Sequence, residues 1–167
     1  MQSRMKNPAM LLPDAMQPML ALNAVLEKSD LSPTLLGLVH LRISQVNGCS
    51  VCVDMGWRQL KRGGETDERL FAVSAWRDAP YFTEAERGAL ALAEAATRIA
   101  DRPDPVPDEV WDEAARHFSE RELAALTLSI GLTNVWNRFN IITRQVAGEW
   151  LKSPEAKEWM EKQAVAQ

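Results

Sequence analysis

The chain has 167 residues, 46% of them hydrophobic and 25% charged, which suffices for one sizeable core and is too ordinary a mixture for a disordered chain. A net charge of -4 without any basic block argues against nucleic-acid binding, because neutralising phosphates takes a dense Lys and Arg surface. The start, Met1 to Asp14, places Pro8 and Pro13 around a short apolar stretch. It is neither a secretory signal nor a span of about 20 apolar residues, so the chain reads as cytoplasmic, without membrane contact, and as one domain over 1–167.

Ala and Leu far outnumber the β-favouring Val, Ile and Thr, and the elements read as helices in chain order. Segment 15 to 28 predicts an outer helix whose Met16, Met19, Leu20, Leu22, Val25 and Leu26 exceed what one face buries, which points to a subunit interface. Ser32 followed by Pro33 is an N-cap with proline at the first helical position. The helix it opens carries Leu35, Leu38, Val39, Leu41 and Ile43 to about Val46, and Asn47-Gly48 stops it. A second helix from about Cys49 to Arg62 ends on basic residues and Gly63-Gly64, and the short connection folds the two into an αα-hairpin. Thr66-Asp67-Glu68 opens a short helix through Ser74. Thr83 with Glu86 and Ser119 with Glu122 have the spacing of capping boxes. The first predicts a helix to about Ala100; the second leads through Leu123, Leu126 and Ile130, past Gly131, into Asn134 to Val146. Pro103, Pro105 and Pro107 stiffen the loop between them before a shorter helix, Asp108 to Phe118. Ser153-Pro154 caps a last helix over 154 to 164. No segment alternates with period two for long enough to be a strand, so the fold class is all-α.

The two cysteines stand as Cys49-Ser50-Val51-Cys52. A bridge across two residues closes a tiny loop and removes little unfolded-state entropy, so a stabilising staple is a weak explanation. Structural zinc needs four ligands, and only His40, His117 or carboxylates could complete a set. What remains is redox chemistry or two inert core thiols. A helix beginning beside Cys49 puts both sulfurs in its first turn, where unpaired N–H groups and the positive dipole end favour a thiolate. Residues three apart share a helix face, so one thiol can attack a peroxide or disulfide while the other resolves the product.

The run from Leu41 to Met55, LRISQVNGCSVCVDM, resembles the signature helix pair of the alkylhydroperoxidase-D-like (AhpD-like) carboxymuconolactone decarboxylase family. Gly64-Glu65-Thr66, Ala75-Trp76-Arg77, the run Tyr81 to Arg87 with Ala89-Leu90, and Val135-Trp136-Asn137-Arg138 look like its usual successors, so the resemblance covers about residues 15 to 150. It implies an AhpD-like helical bundle with a CxxC-bearing αα-hairpin, assembled as a homo-oligomer, a trimer or hexamer. It also implies a dithiol that reduces peroxides, or passes electrons from a lipoyl-type or thioredoxin-like thiol donor, with no metal or organic cofactor. Carried over from the family, Cys52 is the peroxidatic residue and Cys49 the resolving one.

The family's proton relay places a glutamate twelve positions before the first cysteine and a histidine four after the second, where this chain has Gly37 and Gly56. Losing a positioned acid and base costs typically about 10²- to 10⁴-fold in rate. Each glycine sits inside a predicted helix, where close packing of neighbouring helices is the plain alternative. Their coincidence with both relay positions leaves open a rebuilt site, a lost activity or introduced substitutions. His40, one turn after Gly37, is the candidate replacement base, with an ordinary pKa near 6.5 and a vacated glutamate space to enter. Ser44 and Tyr81 are weaker candidates, and His117 reads as surface. Arg42, Arg58, Lys61 and Arg62 could raise the local potential, although helix capping alone explains a basic last turn. Trp57, Trp76 and Trp136 are expected in the core or in subunit contacts. The first reading is therefore an antioxidant peroxidase or disulfide reductase. The second is a weakly active thiol sensor or adaptor of the same fold. Lactone decarboxylation has less support, because that branch of the family does not rely on a cysteine pair.

Overall fold

The computed structural model describes residues 2–152, and among these every regular element is helical. The order is α1 (Pro8–Leu11), α2 (Pro13–Glu27), α3 (Pro33–Asn47), α4 (Ser50–Arg62), α5 (Asp67–Ala72), α6 (Glu84–Thr97), α7 (Asp108–Ala115) and α8 (Glu120–Ile142), with 3₁₀ turns at Val73–Ala75 and Glu149–Lys152. The expected helix at 154 to 164 lies outside the described residues. No helix among the described residues is long and apolar enough to cross a membrane.

Local chemistry sets most of the starts. The Ser32 side chain accepts from Leu35 N–H ahead of Pro33, and Thr83 and Ser119 each form a complete capping box with Glu86 and Glu122. Gly48, in the left-handed region at φ 71°, ends α3 and lets the chain reverse into α4. Three ends fall short of expectation by three residues or more. Helix α6 stops at Thr97 rather than Ala100, where Arg98 leaves helical geometry and ion-pairs with Asp101. Helix α7 stops at Ala115 because the N–H groups of His117 and Phe118 both turn back to Ala114 O, which tucks Phe118 into the core. Helix α8 ends at Ile142, followed by Arg144 at φ 53°. One element was not anticipated: α1, which carries the same signature as α3, with the Asn7 side chain capping and Pro8 in the first turn.

Helix α3 is central, buried against α4, α6 and α8. One of its faces (Leu35, Val39, Ile43) joins Leu92, Ala93, Phe118, Leu126 and Ile130 in a core shared with α6, α7 and α8. Another (Leu38, Leu41) joins Leu60, Leu70, Val73, Trp76, Phe82 and Leu90, a second core that fixes α4 and α5. Burial of side chains of this size contributes roughly 1.5 to 3 kcal/mol each before chain entropy is subtracted. Polar clamps sit at the rim. Glu94 accepts from Trp76 Nε1 at 3.1 Å and pairs with Arg42 and Arg77, while Arg69 spans Glu65 on the α4–α5 connection and Glu86 on α6. Trp76 is a core residue as expected, whereas Trp57 is exposed and Trp136 partly buried. On α2, Leu20, Leu22 and Val25 remain exposed.

Candidate active site

The αα-hairpin delivers both sulfurs to one buried point. Cys49 is the N-cap of α4 and Cys52 lies one turn on; both are free thiols, 1% and 2% exposed, packed with Val51. Backbone bonds hold the corner: Cys49 N–H donates to Ser44 O at 2.9 Å, and Val53 N–H to Cys49 O at 2.9 Å. The first-turn location expected for the pair is therefore present.

The two thiols share a proton. The Cys52 S–H donates to the Cys49 sulfur, and this outweighs burial to bring Cys49 down to about 7; N–H groups of Cys52 and Val51 and the Asn140 amide add to the effect. Cys52 moves the other way. It is raised first by its bond to Cys49, then by burial and by the charge on Cys49, against donation from the Asn140 and Asn137 amides. These are properties of the pair: the first proton leaves near neutrality and the second is strongly retained. In this arrangement the negative charge rests on Cys49, whereas the family resemblance assigns the attack to Cys52.

Helix α8 supplies the polar lining, which the sequence reading did not pick out. Asn140 Nδ2 donates to Cys52 Sγ at 3.2 Å. One turn earlier, the fully buried Asn137 donates to Ser44 Oγ at 3.2 Å and accepts from Asn47 Nδ2 at 2.9 Å; Asn47 also reaches Asn134 Oδ1 at 3.0 Å. The available signal was the spacing of Asn134, Asn137 and Asn140 toward one side of α8. Unpaired amides would be costly at that depth, so such a stripe implies a built network.

His40 reaches the site by a route other than the expected one. Its ring does not enter the space beside Gly37. A Cβ added at Gly37 would lie 2.6 Å from Leu60 Cδ2, so that space is filled by the core leucine. The ring lies instead on Gly56, whose added Cβ would meet His40 Cδ2 at 2.9 Å. Nε2 is 3.3 Å from Cys52 O, and Nδ1 is 3.5 Å from Thr133 Oγ1. A carbonyl only accepts, so Nε2 carries the proton and Nδ1 is free to accept from the Thr133 hydroxyl. Burial lowers the His40 pKa and the Cys52 carbonyl opposes this only in part, so the ring is neutral at pH 7. Both glycines are thus points of close helix approach. A histidine on α3 occupies the side of α4 where the resemblance places one at position 56.

Of the remaining candidates only Ser44 borders the cysteine pair, and its buried hydroxyl faces Asn137. Tyr81 is exposed, with its carbonyl held by Arg69. His117 pairs with Glu113 on α7. Arg42, Arg58 and Lys61 are taken by Glu94, Asp54 and Asp67 rather than by a sulfur. Two surface clefts, one lined by Arg42, Arg77, Glu94 and Arg98 and one by Leu41, Val53, Trp57 and Phe71, include neither cysteine. Among the described residues no group of three or more His, Cys, Asp or Glu is placed to hold a metal ion.

Known proteins are similar to this chain in sequence and in fold. The carboxymuconolactone decarboxylase family model matches residues 13–95. YdfG of Bacillus subtilis (strain 168), an uncharacterized protein, is 33% identical over 129 residues, covering 77% of this chain and 86% of its own. The crystal structure of ATU0492 from Agrobacterium tumefaciens, a protein of unknown function proposed to be the antioxidant defence protein AhpD, superimposes with a TM-score of 0.81 at 33% identity, over 87% of this chain and 98% of that one. The debrominase Bmp8 shares the fold with a TM-score of 0.74 at 22% identity, over 82% and 73% of the two chains, so the fold by itself fixes no single reaction. With its all-helical architecture and its cysteine pair at the head of α4, this chain belongs to the AhpD-like carboxymuconolactone decarboxylase family.

Proposed function

We propose that the protein is an antioxidant thiol peroxidase working through the Cys49/Cys52 couple. The observation that carries this reading is the buried packing of the two thiols together at the head of α4 with the Asn140 amide on Cys52, and the Cys49 thiol, lowered to about 7, agrees with it. Attack by Cys52 begins when the proton between the sulfurs moves to Cys49, leaving the charge where Asn140 donates. Cys52 Sγ then takes the terminal oxygen of a hydroperoxide ROOH. The O–O bond breaks, Cys52 becomes the sulfenic acid, and RO⁻ leaves as ROH with the proton released when the pair first ionised. We assign His40 the role of orienting the Cys52 turn, through its neutral ring and the bond from Nε2–H to the Cys52 carbonyl, rather than of storing that proton. The Cys49 thiol next attacks the sulfenic sulfur, forming the disulfide and releasing water with its own proton. A dithiol donor, of lipoyl or thioredoxin type, returns two electrons and two protons. Burial of both sulfurs favours a small peroxide over a protein disulfide as the oxidant.

Stopped-flow mixing with a small alkyl hydroperoxide and a dithiol tests this, together with intact mass before and after peroxide. The expected result is peroxide loss well above a Cys52→Ser variant and a mass decrease of two hydrogens. Peroxide loss equal to that variant overturns the reading. The second reading, a thiol sensor or adaptor of low turnover, is favoured by the absence of acidic and histidine side chains at Gly37 and Gly56. It predicts the same disulfide without turnover in excess donor. Oligomeric assembly completes the proposal, with the exposed apolar face of α2 as its contact.

A further inference from the structure

The N-terminal segment reaches the dithiol. Arg4 N–H donates to Thr143 O at 2.8 Å, Arg4 Nη1 to Ile142 O at 3.0 Å, and Gln145 Nε2 to Met5 O at 2.7 Å, so residues 4 and 5 are strapped across the C-terminal end of α8. The strap places Asn7 beside Asn140. From there three hydrogen bonds run in series. Ala9 N–H donates to Asn7 Oδ1 at 3.0 Å, Asn7 Nδ2 to Asn140 Oδ1 at 2.9 Å, and Asn140 Nδ2 to Cys52 Sγ at 3.2 Å.

A side-chain amide can face a sulfur with either end, with opposite consequences. Its NH₂ stabilises a thiolate; its oxygen accepts from S–H and stabilises the thiol. Asn140 is buried, so water does not decide between them. Turning it over would set its NH₂ against the NH₂ of Asn7, and turning Asn7 as well would set that NH₂ against Ala9 N–H. A backbone N–H cannot turn over, and Pro8 leaves Ala9 as the first available donor of α1. We infer that Asn7 is a positioning residue for the dithiol: by capping α1 it fixes the polarity of Asn140 and so keeps an N–H, not a carbonyl, on Cys52. This extends the dithiol reading and rests on it only for the role of Cys52. The titratable groups set against Cys52 are Cys49 and, across α3, His40; α8 presents neutral asparagines, and the strap brings Arg4, bound to an α8 carbonyl.

The test uses the full chain in a Cys49→Ser background, where thiolate absorbance near 240 nm reports Cys52 alone and no peroxide is involved. Both Asn7→Ser and Asn7→Asp keep a capping oxygen for Ala9. Serine is too short to hold Asn140, and aspartate accepts from it and turns its oxygen toward the sulfur. The expected result is a rise in the Cys52 midpoint of about one pH unit in both variants, with unchanged helical content, and no further rise when Asn7→Ser is added to Asn140→Leu. A midpoint within about 0.2 units of the parent overturns the inference. So does a shift confined to Asn7→Asp, which would be charge repulsion, or an Asn7→Ser shift that persists beside Asn140→Leu. Failure of the peroxide assay with these shifts present would remove the peroxidase reading and leave the inference standing.

Discussion

Gly56 and His40 form a steric pair that a double-mutant cycle can isolate. Gly56 is buried inside α4, and a Cβ there would lie 2.9 Å from His40 Cδ2, closer than side-chain carbons pack. Inserting a methyl into such a contact costs about 1 to 3 kcal/mol. Replacing a helical glycine by alanine simultaneously contributes about 1 kcal/mol through chain entropy. Gly56→Ala should therefore lower stability by about 0 to 2 kcal/mol, the difference of those two effects. In a His40→Ala background the ring is gone and only the entropy gain remains, so the same substitution should stabilise by about 1 kcal/mol. Urea unfolding of the four proteins at one fixed concentration measures both arms, and the coupling should be about 1 to 3 kcal/mol. For a chain of this length each kcal/mol corresponds to about 2 to 4 °C in melting temperature, so a thermal scan resolves the effect as well. If Gly56→Ala changes stability equally in both backgrounds, within about 0.3 kcal/mol, the ring does not rest on Gly56 and the account of His40 fails.

Three further outcomes follow from the same geometry. Gly37→Glu combined with Gly56→His, which would restore the family's relay residues, should lower stability without raising peroxide reduction, because Leu60 and the His40 ring already fill those spaces; a gain in turnover would show that the site accommodates both. Cys52→Ala removes the donor to Cys49 and should raise the Cys49 midpoint from about 7 toward 9.0, while Cys52→Ser keeps an O–H donor and should move it less; equal shifts in absorbance titrations would refute the shared proton. Glu94 and Glu86 are pushed up by burial but held lower overall by donation from Trp76, Arg77 and Arg42 in one case and from Arg69 and Thr83 in the other. A depressed carboxylate contributes stability above its unfolded pKa, about 4.3, and loses it as pH falls through the folded value. Glu94→Gln should therefore flatten the acid limb of melting temperature against pH and leave the slope above pH 6 unchanged; an unchanged acid limb counts against the clamp.

Helix starts were legible because they are local: a capping oxygen, a proline in the first turn and an acid three residues on satisfy backbone donors within the same few residues, as at Ser32, Thr83 and Ser119. Helix ends were less so. Phe118 leaves α7 because a core lies beneath it, and that core is assembled largely from Leu31, Val39 and Leu92, which are distant in sequence. The cysteine pair was legible for the same local reason, since spacing and a helix start are both written within four residues.

His40 was legible as a residue but its placement was not, and the cause is geometric. Residue spacing places His40 on the face of α3 that carries Gly37, which suggests that the ring fills a hole left on its own helix. Side chains on a helix project outward to the next element, and the neighbour with room is α4, where Gly56 lacks the atom that would block it. Read along the chain, Gly37 and Gly56 are two absences; across the α3–α4 contact, one is filled by Leu60 and the other by His40. The asparagines follow the same logic. Asn140 meets Cys52 across 88 positions and Asn7 meets Asn140 across 133, so no window on the sequence holds both partners. A site of this kind is specified by which helix faces meet, and its chemistry is carried by amides whose direction is fixed by a backbone N–H in a different helix.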